Sequence, residues 1–170
     1  MDSFRSESAG SAREDERFMR AALDKACDAE KTGELPVGAV VVLGGEIVAA
    51  AANRTEAGGN ALSHAEINAI AAACGALGRK TLEGCALYVT LEPCPMCAGA
   101  IYHARLDRVV YGAPDAEYGS MGGKFDLFEL AGFGSRRPAV TGGVLGEECA
   151  AALRRFFAAK RRQPFEMKAF

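Results

Sequence analysis

A β-branched run, Pro36-Val37-Gly38-Ala39-Val40-Val41-Val42-Leu43, meets Gly44-Gly45 and is followed at once by a second extended segment, Glu46–Ala52. Two glycines between such runs belong to the dipeptide class that closes a two-residue hairpin, where both positions take positive φ. After this hairpin, short β-rich runs alternate with helical segments. The runs are Cys85–Leu91, 108–112 and 140–144; the first is too short and too β-branched for a helix. Helical spacing covers 14–31, with Phe18, Met19, Ala22, Leu23, Ala26 and Cys27 on one face. Further helices are expected over 63–74, 94–104 and 145–162, the last with Cys149, Leu153, Phe156 and Phe157 turned inward. Residues 115–134 read as loop, with one or two helical turns at 125–130. A hairpin followed by strand–helix alternation requires a mixed sheet with helices on both faces, an α/β fold. No internal repeat or second domain is visible, and 170 residues suffice for one buried core.

No apolar run approaches the ~20 residues of a membrane span. Residues 1–12 carry Ser, Gly and charge without the apolar stretch of a signal peptide, and read as a disordered tail on a cytoplasmic protein. Residues 13–163 form the expected domain and 164–170 a C-terminal tail. In a reducing compartment the six cysteines are thiols. Cys27, Cys74, Cys85 and Cys149 stand singly and read as buried small hydrophobes. The formal net charge of −2 gives no whole-molecule attraction to nucleic acid, so a polyanion would need a local basic patch.

Cys94 and Cys97 form a pair inside Pro93-Cys94-Pro95-Met96-Cys97, directly after a strand. Two cysteines at this spacing can place both sulfurs on one metal, and Pro93 suits a helix start, so both thiols fall in a first turn. There the positive end of the helix dipole favours thiolate. His64, at an earlier helix start, supplies a nitrogen donor. Three protein ligands leave a tetrahedral Zn2+ one position for water, which is the catalytic pattern. Glu66, two residues from His64, reaches that position without displacing a ligand and can move protons. A redox Cys-x-x-Cys would not require His-x-Glu upstream, and a structural zinc would want a fourth Cys or His. His103 has no ligand partner at suitable spacing, and reads as structural or as lying near the substrate.

His-x-Glu followed by Pro-Cys-x-x-Cys is the known signature of zinc nucleobase deaminases, which this chain resembles at His64-Ala65-Glu66 and Pro93–Cys97. Beyond it, Pro36–Val40, Asn53-Arg54, His64–Ile67, Leu87–Ile101 and Arg108–Ala113 resemble the bacterial tRNA-specific adenosine deaminases, a likeness running from about residue 16 to 162. The resemblance implies a cytidine deaminase-like three-layer α/β/α sandwich around a mixed five-stranded sheet. It implies one zinc per subunit, a homodimer, and conversion of the wobble adenosine of an arginine tRNA anticodon stem-loop to inosine. By position, Asn53 would contact the flipped nucleotide near its ribose, and Asp115 would stand in the loop that reads its neighbours. Phe156, Phe157 and the basic run Lys160-Arg161-Arg162 would border the RNA channel. The chain departs from the family pattern at Leu62-Ser63, over 116–124 and at Ser135-Arg136-Arg137.

Two other functions fit parts of this pattern. Deamination of a free base or nucleoside (guanine, adenine or cytosine type) uses the same metal site. A zinc-stabilised binding subunit would need no carboxylate at the water position, and Glu66 argues against it. Arg105, Arg108, Arg136, Arg137, Arg154, Arg155, Lys160, Arg161 and Arg162 are the cations available to line an RNA-binding face.

Overall fold

The computed structural model describes residues 11–130, 133 and 136–162. Of the expected tails, 1–12 and 164–170, residues 1–10 and 164–170 lie outside the described residues, as does 163 at the end of the expected domain; Ser11 and Ala12, assigned to the tail above, instead start the first helix. Ser11 caps it through its hydroxyl, and Glu14 returns to the Ser11 N–H, a capping box that sets the boundary.

Among the described residues the elements are α1 (Ala12–Lys31), β1 (Gly38–Leu43), β2 (Glu46–Ala52), α2 (Ala65–Leu77), β3 (Cys85–Leu91), α3 (Pro95–His103), β4 (Arg108–Ala113), a 3-10 turn at Leu127–Glu129, β5 (Ala139–Gly142) and α4 (Gly146–Arg162). The strands form one sheet in the order β2-β1-β3-β4-β5. β1 is antiparallel to β2 and β3, whereas β3, β4 and β5 run parallel. Gly44 and Gly45 both take positive φ, as the hairpin turn requires.

Both faces of the sheet are covered, which is why β1 is continuously apolar rather than alternating. Val40, Val42, Tyr88 and Val110 face α1 and α4, packing with Phe18, Met19, Ala22 and Cys149. Ala39, Val41, Leu87, Val89 and Val109 face α2 and α3, packing with Ala65, Ala69, Ala98 and Ile101. The result is the expected three-layer α/β/α sandwich. At about 25 cal/mol per Å2 of apolar area, these two interfaces are the dominant favourable term in folding.

Two side chains expected inside are not. Cys27 is exposed, because the buried stripe of α1 runs through Ala26 and Ala29 instead. Phe157 is 48% exposed and Phe156 half-buried, because α4 outruns the sheet it packs on. Two ion pairs give its course, Arg20–Glu148 and Arg155–Glu30. They make α4 run parallel to α1, toward the edge where β1 begins and β3 ends, so residues 156–162 reach past the end of α1.

Candidate metal centre

β2, β3 and β4 all end at one edge of the sheet, and each hands the chain to a loop or helix start there. α2 begins after His64 and α3 after Cys94; both N-cap residues have extended φ/ψ and neither side chain caps its helix. His and Cys are unusual at a position that prefers Ser, Thr, Asp or Asn. Their side chains face each other instead. His64 Nδ1 lies 3.8 Å from Cys94 Sγ and 3.5 Å from Cys97 Sγ, and all three donor atoms lie within 4.8 Å of one another. Ligands 2.0–2.3 Å from a tetrahedral zinc stand about 3.5 Å apart for an N–S pair, so the donor set and its spacing fit that ion. Pro95, not Pro93 as expected, is the first helical residue of α3. Pro93 precedes the cap, and its carbonyl accepts from Ser120 N and Oγ at 3.1 and 2.8 Å.

The electrostatics suit a cation. A hydrogen bond from the Cys97 thiol, then His64 and the Cys97 N–H, hold Cys94 down to about 4 against its desolvation. Cys97 is pushed up by the adjacent Cys94 sulfur, by burial and by Glu66. The two sulfurs thus share one proton between them, and a divalent cation is what would let both ionise. His64 is raised by its hydrogen bond to Cys94, with burial opposing. Glu66 sits in the first turn of α2, 4% exposed. Burial pushes it up to about 7, against its own backbone N–H and His64. A carboxyl poised near neutrality can both take and give a proton.

Asn53 is buried at the same edge, but its amide nitrogen donates to Glu34 Oε2 at 3.0 Å and Thr55 Oγ1 at 3.1 Å. Asp115 is half-buried, and its Oδ1 accepts from the N–H groups of Glu117 and Tyr118. His103 is exposed at the far end of α3, about 13–14 Å along the helix axis from Cys94; it stacks edge-on against Tyr102 and is not at the metal edge. Arg108 is buried against Asp15, and Arg105, Arg137, Arg154 and Arg155 each pair with a carboxylate. Among the described residues this leaves Arg136, Lys160, Arg161 and Arg162 without an ion pair, a smaller basic set than the sequence offered.

Sequence reasoning missed two carboxylates, Glu34 and Glu92, both 1% exposed. Glu34 accepts from Ala57 N at 2.6 Å, Asn53 and Thr55. Burial works against its charge, but these bonds and the Glu56 N–H outweigh it and hold the carboxyl below its ordinary value. Each adjoins a proline motif, Glu34-Leu35-Pro36 and Glu92-Pro93, the one signal that could have flagged them.

Residues 12–113 match the cytidine and deoxycytidylate deaminase zinc-binding region. The chain belongs to this deaminase family. The tRNA-specific adenosine deaminase of Bacillus subtilis (strain 168) is 45% identical over 150 residues, spanning 88% of this chain and 92% of that protein. The solved structure of a tRNA:A34 deaminase, studied for A-to-I editing at the wobble position, matches with TM-score 0.76 at 42% identity, over 81% of this chain and 99% of that one. The guanine deaminase of Bacillus subtilis matches with TM-score 0.58 at 33% identity, over 91% of this chain and 98% of that one. With the family's zinc-binding region and the His64, Cys94, Cys97 cluster coincident, the deaminase is a zinc protein. Among its described residues no helix is long and apolar enough to cross a membrane.

Proposed function

We propose that this deaminase converts adenosine to inosine at the wobble position of a tRNA anticodon, with His64, Cys94 and Cys97 holding one zinc per subunit and Glu66 moving the protons. The observation that carries the reading is Glu66, buried beside the three metal donors, in a chain that aligns along most of its length with tRNA-specific adenosine deaminases.

Bound zinc supplies a Lewis acid that makes water nucleophilic near neutral pH. Glu66 would take a proton from the water that adds to C6 of the purine and pass it to N1. A second proton transfer through Glu66 releases the 6-amino group, so adenosine and water become inosine and ammonia. Glu34 orients the Asn53 amide so that its oxygen is left for the nucleotide, near the ribose. The loop begun by Asp115 meets the neighbouring nucleotides. Phe156, Phe157, Arg161 and Arg162, on the part of α4 that reaches past α1, border the RNA, with the exposed Phe157 ring placed for base stacking. The anticodon stem-loop of an arginine tRNA is the expected partner, bound by a homodimer in the cytoplasm.

The test incubates the purified protein with an arginine tRNA anticodon stem-loop and, separately, with free bases and nucleosides. Inosine in the RNA supports the reading. Ammonia released only from small molecules, guanine included, overturns it.

A further inference from the structure

The segment after β4, residues 114–126, is fastened to the metal edge through one carboxylate. Glu92 lies between the end of β3 and Pro93, two residues before Cys94. No cation pairs with it among the described residues. Its charge is met instead by three backbone N–H groups of the loop. Asp115 N donates to Oε2 at 3.0 Å, Met121 N to Oε1 at 3.0 Å and Gly123 N to Oε1 at 2.8 Å. Three backbone N–H groups converging on one carboxylate make charge-assisted bonds, stronger than neutral ones. A Cβ at Gly119 or Gly123 would overlap Glu92 Oε2, so the loop closes on the carboxylate with no room for a side chain. Ser120 adds its two bonds to Pro93 O. The loop therefore folds around Glu92-Pro93, directly before Cys94 at the start of α3. Its outer turn carries Tyr118, 62% exposed.

We propose that Glu92 is a positioning residue for the substrate: it holds the 115–123 loop beside the metal ligands, so that the outer face of the loop sets affinity for the RNA. The proposal rests on the tRNA reading above. Glu92 takes no part in the proton transfers, which belong to Glu66. Glu92→Gln is a selective probe. The amide oxygen can still accept from Met121 and Gly123, but its NH2 meets the Asp115 N–H donor to donor.

The experiment compares zinc-loaded wild type and Glu92→Gln by zinc content, backbone amide exchange, and steady-state kinetics on the anticodon stem-loop. One zinc per chain is retained, exchange at Asp115 accelerates, and KM rises about tenfold or more while kcat changes by less than about threefold. Loss of zinc, a fall in kcat at constant KM, or unchanged KM and exchange overturns the proposal. If wild type deaminates only small molecules, the tRNA reading fails, while amide exchange and KM on the accepted substrate still decide the role of Glu92. If Glu92→Gln does not fold, Gly123→Ala presses on the same carboxylate from the loop side. It must then raise KM with zinc retained, and an unchanged KM there overturns the proposal equally.

Discussion

Asp15 and Arg108 offer the sharpest test of what holds the sandwich together. The guanidinium meets the carboxylate in a fork, Nη1–Oδ1 at 2.6 Å and Nη2–Oδ2 at 2.7 Å, with side chains 8% and 6% exposed. Tyr88 OH donates to Asp15 at 2.8 Å, and Arg108 also donates to Tyr88 OH and Thr141 Oγ1 at 3.2 Å. One network thus ties α1 to β3, β4 and β5. Asp15→Ala leaves a buried guanidinium without its counter-charge, at a cost of about 3–5 kcal/mol. For a chain of 170 residues, each kcal/mol lowers Tm by roughly 2–4 °C, so the single variant melts about 6–20 °C lower. The double replacement Asp15→Leu with Arg108→Met removes both charges at similar volume and recovers most of the loss. Urea denaturation of the zinc-loaded protein measures all three, and zinc content stays constant because the network lies at the edge away from the metal. A single-variant loss below about 1 kcal/mol, or a double variant no better than the single, would refute the view that desolvated charge decides the cost.

Glu66→Ala keeps one zinc per chain and lowers turnover by at least about 10²–10⁴-fold; a variant that lost its metal would show that the carboxylate serves as a ligand instead. Phe157→Ser changes stability by less than about 0.5 kcal/mol, since the ring is already exposed. It weakens stem-loop binding by about 1–3 kcal/mol if a base stacks there, and an unchanged Kd by titration would remove it from the RNA path. Glu34 has its carboxyl held below the ordinary value of 4.5 in the fold, so its stabilisation is present above that range and is lost as pH falls through the folded value. Protection of the Ala57 amide, taken relative to intrinsic exchange at each pH, therefore falls on acidification below pH 4.5, and Glu34→Gln removes that fall; a variant that kept it would assign the transition to another group.

Much of the molecule is set by local chemistry and was legible in the sequence. β2 and β3 have the expected limits, and the Gly44-Gly45 turn follows from the φ that glycine alone takes freely. His64, Cys94, Cys97 and Glu66 were readable because metal ligation needs particular atoms at particular spacings, and helix starts present them together. Burial is different, since it depends on what the rest of the chain places opposite a residue. Arg108 looked like a surface cation, yet Asp15, 93 residues earlier, meets it inside. Phe157 and Cys27 carry apolar side chains at helical spacing, but the sheet does not extend beneath one, and the buried stripe of α1 runs through the alanines beside the other. Glu34 and Glu92 read as ordinary acids until the loops folded around them brought backbone N–H groups to their oxygens. The atoms that can hold zinc and move a proton are written locally, at His64, Glu66, Cys94 and Cys97; which charges are buried depends on packing, because low dielectric surroundings are made by distant segments and leave no local mark.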